Sequence, residues 1–189
     1  MSSGDRREFL RALGLGGISV DRPTVLLISD YIGVPELPPR TEWRPSLFGE
    51  IYRTVSEAQR DSAAAAFDRD PRDTATPEGM ARLLARLWRG ELLSESSTAL
   101  LLDIMRRCST GDARLKGLLP RRTEVAHKTG TIGGTTNDIG IITLPFDAGH
   151  VVAAVFVKQS EADAEDRELV IAHIARAVYD YFLFNPGSR

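Results

Sequence analysis

The chain has 189 residues, with 24 Lys+Arg against 26 Asp+Glu and a formal net charge of −2, and 42% of it is hydrophobic. That length and balance fit one ordinary domain and exclude a mostly disordered chain, while a pI ≈ 6.0, with arginines interleaved among acids, excludes the basic stripe of a nucleic-acid binder. The single Cys108 excludes an internal disulfide and any zinc-ligand spacing, no apolar run is long enough for a membrane span, and Met1 to Glu8 lead into the chain without a signal-peptide core.

Residues 5–14 place Phe9, Leu10 and Leu13 at helical spacing and stop at Gly14, which predicts a short helix. From Leu15 to about Pro45 the chain is rich in Gly and Pro, and five of its 10 prolines (23, 35, 38, 39 and 45) fall here. The expectation is a long loop with at most short helical turns. Residues 46–67 predict one or two modest helices, with Leu47, Ile51 and Val55 in register and the run Ala63–Ala66 favouring helix. Thr76 followed by Pro77 is an N-cap with proline at the first helical position. Met80, Leu83, Leu84, Leu87 and Trp88 then form an apolar stripe that Gly90 ends. Ser94 or Ser96 starts the next helix, with Leu100, Leu101, Ile104, Met105 and Cys108 as its stripe. So short a link predicts an antiparallel pair.

Beyond Pro120 the pattern turns to strands: Glu124–Ile132, Asp138–Leu144 and His150–Lys158. The third is apolar on both faces, as a sheet covered on both sides requires. The short link 145–149 predicts a hairpin between the second and third. Ser160 is expected to cap a last helix to about Phe182, burying Val170, Ile171, Ile174, Val178, Tyr181 and Phe182. Helices, then an antiparallel sheet, then a closing helix make an α+β arrangement. No internal repeat is present. The whole is expected as one partial domain over 1–189: a short helix to residue 20, an enlarged loop region over 21–75, a helix pair over 76–120, and strands with a last helix over 121–189.

The segment that stands out chemically is Val125-Ala-His-Lys128-Thr129-Gly130-Thr131-Ile-Gly-Gly134. An ammonium inside a strand must reach water or meet a fixed anion, because burying it alone is costly. Thr129 and Thr131 share one face, and Gly130 between them lets a ligand approach the backbone. Such an edge can hold a carboxylate and offer N–H groups to an oxyanion. On these three residues alone the plainer reading comes first: an edge strand with a snorkelling lysine and a glycine-rich turn.

In order along the chain, Arg72-Asp-Thr-Ala-Thr-Pro77, its amphipathic helix, Gly90-Glu-Leu-Leu-Ser94, the second helix and His127-Lys-Thr-Gly130 resemble the C-terminal half of class A serine β-lactamases. The resemblance runs over residues 72–182 and more weakly over the first helix and Asp21-Arg22. It implies the β-lactamase/transpeptidase-like fold, with an antiparallel sheet packed against helices. It also implies acyl transfer through a serine, with no metal and no organic cofactor. By the same resemblance Lys128 supplies positive charge to the cleft. Thr129 binds the substrate carboxylate, with Gly130 and Thr131 completing the binding edge. The Thr131 backbone N–H is one oxyanion donor, and Arg22 pairs with Asp73 at the neck of the family's omega loop. The alternative for that last pair is a screened surface contact.

The departures matter as much. Three places before the lysines Lys116, Lys128 and Lys158 stand Ala113, Val125 and Val155, so the S-x-x-K motif and its nucleophile are absent from this sequence. S-D-N is absent as well, Ser29-Asp30-Tyr31 being a near miss on the wrong side of the first helix. The expectation is a C-terminal portion whose partner is the missing N-terminal portion of the same fold. Its substrate would be a small-molecule β-lactam or related acyl compound. Where the family carries its deacylating glutamate, two residues after Arg22, this chain has Thr24, whose hydroxyl is no general base near neutral pH. Glu36 and Glu42 are the acids in the enlarged loop able to substitute. Readings that stay open are a β-lactamase-type hydrolase inactive alone, a related penicillin-binding amidase or esterase, a non-catalytic carboxylate-binding module, and a gene remnant. The family is usually exported to the periplasm or outside the cell, which would put any leader upstream. His127 is expected to pack, Cys108 to be a small buried hydrophobe, and His150 and His173 to lack the partners of a metal site.

Overall fold

The computed structural model describes residues 3–44 and 46–185, so the readings placed on Met1 and Pro45 lie outside the described residues. The chain divides into two compact units, Met1–Ala75 and Thr76–Arg189.

The first unit contains α1 (Ser3–Ala12), α2 (Thr24–Ile32), a 3₁₀ turn (Arg40–Glu42), α3 (Leu47–Thr54) and α4 (Glu57–Phe67). The stretch expected to be a loop therefore holds a nine-residue helix, α2. Its prolines flank the helix rather than interrupt it: Pro23 sits before the first turn, where a missing N–H costs nothing, and Pro35 follows the end. Gly33 closes α2 at φ 77, with its N–H returning to Asp30 and Ser29 carbonyls. A Cβ there would lie 3.0 Å from Ala63 Cβ and 3.1 Å from Gln59 O, so this glycine also lets α2 and α4 meet. Ile32, Val34 and Val55 form the small core, with Tyr31, Leu37 and Ile51 packed around it. Ser56 opens α4 with a capping box closed by Gln59.

The second unit contains α5 (Pro77–Trp88), α6 (Glu95–Arg106), strands β1 (Val125–Ile132), β2 (Thr135–Thr143) and β3 (His150–Val157), and α7 (Ala164–Phe184). Thr76 and Ser94 cap α5 and α6 through hydroxyls that accept from Gly79 N and Ser97 N. The three strands form one antiparallel sheet in the order β1-β2-β3. β2 begins three residues earlier than expected, because Gly133 and Gly134 alone make the turn. Gly133 has φ 52, and a Cβ on Gly134 would lie 2.7 Å from Ser160 O.

One face of the sheet carries Val125, Ile142, Val151, Ala153 and Val155 against Ile171, Ala175 and Tyr179 of α7, with Leu115 fully buried among them. The other face carries Ala126 and Ile141 under Leu84 and Leu87 of α5 and Leu102 and Met105 of α6. α5 lies over β3 and α6 over β1, each helix leaning on the sheet more than on the other.

Two helix faces differ from their expected stripes. α6 buries Thr98, Leu102 and Met105 and leaves Leu100 and Ile104 exposed. α7 starts at Ala164, four residues after the expected cap, because Ser160 N is bonded to Gly134 O and belongs to the strand turn. It buries Ile171, Ala172, Ala175 and Tyr179 and leaves Val170, Ile174 and Tyr181 outside. Ala172 and Ala175 at the contact let the helix backbone sit close to the sheet, with Ile171 and Tyr179 packed beside them.

Candidate functional site

β1 is an edge strand, and side-chain alternation divides its motif between the two faces. Val125, Ala126 and His127 are buried, and from Lys128 onward the strand emerges: Lys128, Gly130 and Thr131 are exposed and Thr129 is half-buried. Lys128 is thus solvated, its Nζ donating to the Thr129 carbonyl at 2.7 Å. Gly130 faces Asn137 across the pair, whose Cβ would be 3.9 Å from an added Cβ, so this face stays open beside the ammonium.

The threonines are held by a segment that sequence reasoning passed over. Between α6 and β1, Thr110 Oγ1 lies 2.6 Å from Thr129 Oγ1. Arg114 is 7% exposed and reaches four groups. Its Nε meets Glu168 at 3.0 Å, one terminal nitrogen donates to Gly130 O at 3.3 Å and Asn137 O at 2.9 Å, and the other donates to Thr131 Oγ1 at 2.6 Å. A guanidinium only donates, so Thr131 keeps its own hydroxyl proton to give away. A buried arginine tied to a carboxylate and three oxygens is a rigid support, and removing it would leave Glu168 without its charge partner. No pattern marked Arg114 among the chain's many arginines, and nothing in the sequence set Thr110 apart.

His127 lies beneath the motif, fully buried, with Nδ1 at 3.0 and 2.9 Å from the two carboxylate oxygens of Asp138. The Leu115 N–H donates to the same carboxylate at 3.2 Å. Gly140, opposite His127, makes room for this pair, since a Cβ there would lie 2.8 Å from His127 Cβ. Asp138, also missed in the sequence, gives the packing role expected of His127 a specific polar partner.

Cys108 departs from its expectation as a buried hydrophobe. It falls beyond the end of α6, half-buried, with Sγ 3.5 Å from Thr110 Oγ1. Burial disfavours its thiolate, but hydrogen bonds from Thr110, the Lys128 charge and the Thr129 N–H outweigh it and bring the thiol below its ordinary pKa.

In the first unit Arg22 Nε lies 2.7 Å from Asp73 Oδ2, and the Asp73 carboxylate also takes the N–H groups of Asp21 and Arg22 at 2.6 and 2.9 Å. A second nitrogen of Arg22 meets Asp30 at 2.5 Å and Asp70 at 3.1 Å. The Arg22 side chain is 7% exposed and that of Asp73 9%, so this is an enclosed network rather than a surface pair. Burial works against the Arg22 charge, yet its bonds to Asp73 and Asp30 keep its pKa above the ordinary value. Ser29 of the near-miss triplet is buried and donates to Val25 O at 2.8 Å, and Asp30 is occupied by Arg22. Thr24 is the exposed first residue of α2, and Glu36 and Glu42 are exposed nearby in sequence.

The β1 edge thus offers one ammonium, two hydroxyls and an open backbone face, a donor set suited to an anion. Residues 6–182 match the family model described as the β-lactamase enzyme family. The chain is 34% identical over 172 residues to the β-lactamase CTX-M-6 of Salmonella typhimurium, a match covering 89% of this chain and 57% of that one. It is 42% identical over 117 residues to the β-lactamase VEB-1 of Pseudomonas aeruginosa, covering 58% of this chain and 39% of that one. Among solved structures, the TLA-1 extended-spectrum β-lactamase superposes with a TM-score of 0.68 at 31% identity, over 96% of this chain and 55% of that one. A β-lactamase from Chitinophaga pinensis does so with a TM-score of 0.69 at 26% identity, over 95% and 55%. In each case the chain spans less than two thirds of the relative's own length.

Proposed function

The chain belongs to the β-lactamase enzyme family and folds as part of the class A structure, and from that premise we propose that it carries the anion-binding side of a β-lactam acyl-transfer site. The observation that carries the proposal is the emergence of Lys128-Thr129-Gly130-Thr131 on an open strand edge, with Lys128 solvated and both threonine hydroxyls braced from behind. Lys128 attracts the substrate carboxylate, the Thr129 hydroxyl donates to it, and the Thr131 N–H faces the oxygen that becomes negative when the ring carbonyl is attacked. The attacking serine and its activating lysine belong to S-x-x-K, which this sequence does not contain. The reaction therefore depends on a partner segment of the same fold that supplies them.

Expected of this chain alone is saturable binding of benzylpenicillin, weakened roughly tenfold or more by Lys128→Ala, with no hydrolysis of a chromogenic cephalosporin. Measurable turnover would place a nucleophile within these residues and overturn the division of labour. Joining a family segment that bears S-x-x-K and S-D-N should then bring turnover. Retained binding without it would favour a non-catalytic carboxylate-binding module. A second reading, a penicillin-binding amidase or esterase, draws on Thr24 in place of a carboxylate. It predicts that the joined protein acylates and then stalls, with ester substrates turned over faster than β-lactams.

A further inference from the structure

We infer that Thr110 is a positioning residue that turns the Thr129 hydroxyl proton toward a bound carboxylate; this rests on the carboxylate-binding reading of Lys128 and Thr129. The two hydroxyl oxygens are 2.6 Å apart, and Thr110 lies 19 residues before Thr129 on a different element. Each hydroxyl has one proton to give and lone pairs to receive. If Thr129 spends its proton on Thr110, it presents only lone pairs to an anion. If Thr110 is the donor, the Thr129 proton is free and polarised by the bond it receives.

Two features hold the pair in the geometry that the second arrangement needs. Gly111, at φ +73, presses on the methyl side of Thr129: a Cβ there would lie 2.5 Å from Thr129 Cγ2. That contact fixes the side-chain rotamer, methyl against Gly111 and hydroxyl against Thr110, and only glycine permits it. On its other side Thr110 Oγ1 has the Cys108 sulfur at 3.5 Å. While it carries its proton, the sulfur takes none from Thr110 and can donate to the Thr110 carbonyl or hydroxyl, which leaves the Thr110 proton directed at Thr129; once ionised, the sulfur would draw that proton to itself. Lys128 Nζ donates to the Thr129 carbonyl rather than to either hydroxyl, and its remaining N–H groups stay available to the carboxylate.

The test is calorimetric titration of the intact chain, near neutral pH, with benzylpenicillin and with its uncharged methyl ester. Thr110→Val, which keeps the shape and removes the hydroxyl, should weaken the acid roughly fivefold to tenfold and leave the ester unchanged. Thr110→Ser should bind the acid as wild type does. Thr110 is exposed, and Thr110→Ala, which adds no bulk, must reproduce the loss should the valine variant fold poorly. Wild-type affinity for the acid in both hydroxyl-free variants, while Lys128→Ala still weakens it, overturns the role of Thr110 and spares the carboxylate reading. Equal losses of acid and ester would reduce Thr110 to a structural residue and overturn the inference as well. No binding by the wild type, or no effect of Lys128→Ala, removes the carboxylate reading and the inference with it.

Discussion

A thiol next to an ammonium is a chemical reporter of the site around it. Cys108 ionises more readily than a free cysteine through its bonds with Thr110, the Lys128 charge and the Thr129 N–H. Its alkylation by iodoacetamide should therefore show a pH midpoint below the ordinary thiol value of about 8.5. Lys128→Ala should move that midpoint upward, and an unmoved profile would show that the two side chains do not share a field. The motif around Lys128 was legible in the sequence because its residues are contiguous on one strand. Thr110, Arg114 and Asp138 were not, because they reach it from other segments and have no spacing to betray them. The histidine could be assigned to packing, yet its acidic partner lies 11 residues away, across the β1–β2 turn.

At the scale of the element, capping chemistry was the most readable signal. Thr76 and Pro77 start α5 as their order implies, and the Thr76 hydroxyl accepts from Gly79 N at 3.1 Å. Thr76→Ala should cost about 1 kcal/mol of stability, measured by urea denaturation, against near-neutrality for Thr76→Ser. A helix end that tolerates alanine without loss would mean that burial of Leu84 and Leu87, not the cap, fixes where α5 begins. Strand order and the β2–β3 hairpin followed from short links and apolar runs. What escaped was α2, hidden by flanking prolines, and the buried faces of α6 and α7. There the apolar residues run more than halfway round each helix, so periodicity alone cannot say which side meets the sheet. The answer lies in the partners on the sheet, which no single helix encodes.

Across the molecule, each unit has its own core among the described residues, one small cluster of three buried hydrophobics in the first and two larger clusters in the second. The first unit adds an enclosed ion-pair network around Arg22 to that small cluster. Hydrogen bonds from the Arg72 guanidinium and N–H hold the Asp70 carboxyl well below the usual carboxylate range, with Arg22 adding to the effect. A depressed value means the contribution is full above the unfolded pKa of about 3.9 and fades as pH falls through the folded one. Amide protection in α2 and α4 should therefore differ between wild type and Asp70→Asn at pH 7, and the difference should begin to narrow below about pH 4 and close only in strong acid. A gap that stayed unchanged into strong acid would sever Asp70 from the stability of this unit. The bond between Arg22 and Asp73 joins residues 51 apart, and polymer statistics give it a property unlike that of any core contact. Closing a flexible loop grows dearer only with the logarithm of its length, about 0.6 kcal/mol for each doubling. A clasp of this kind is nearly indifferent to the length of chain between its ends, so the enclosed segment can lengthen by insertion while the two ends remain fastened.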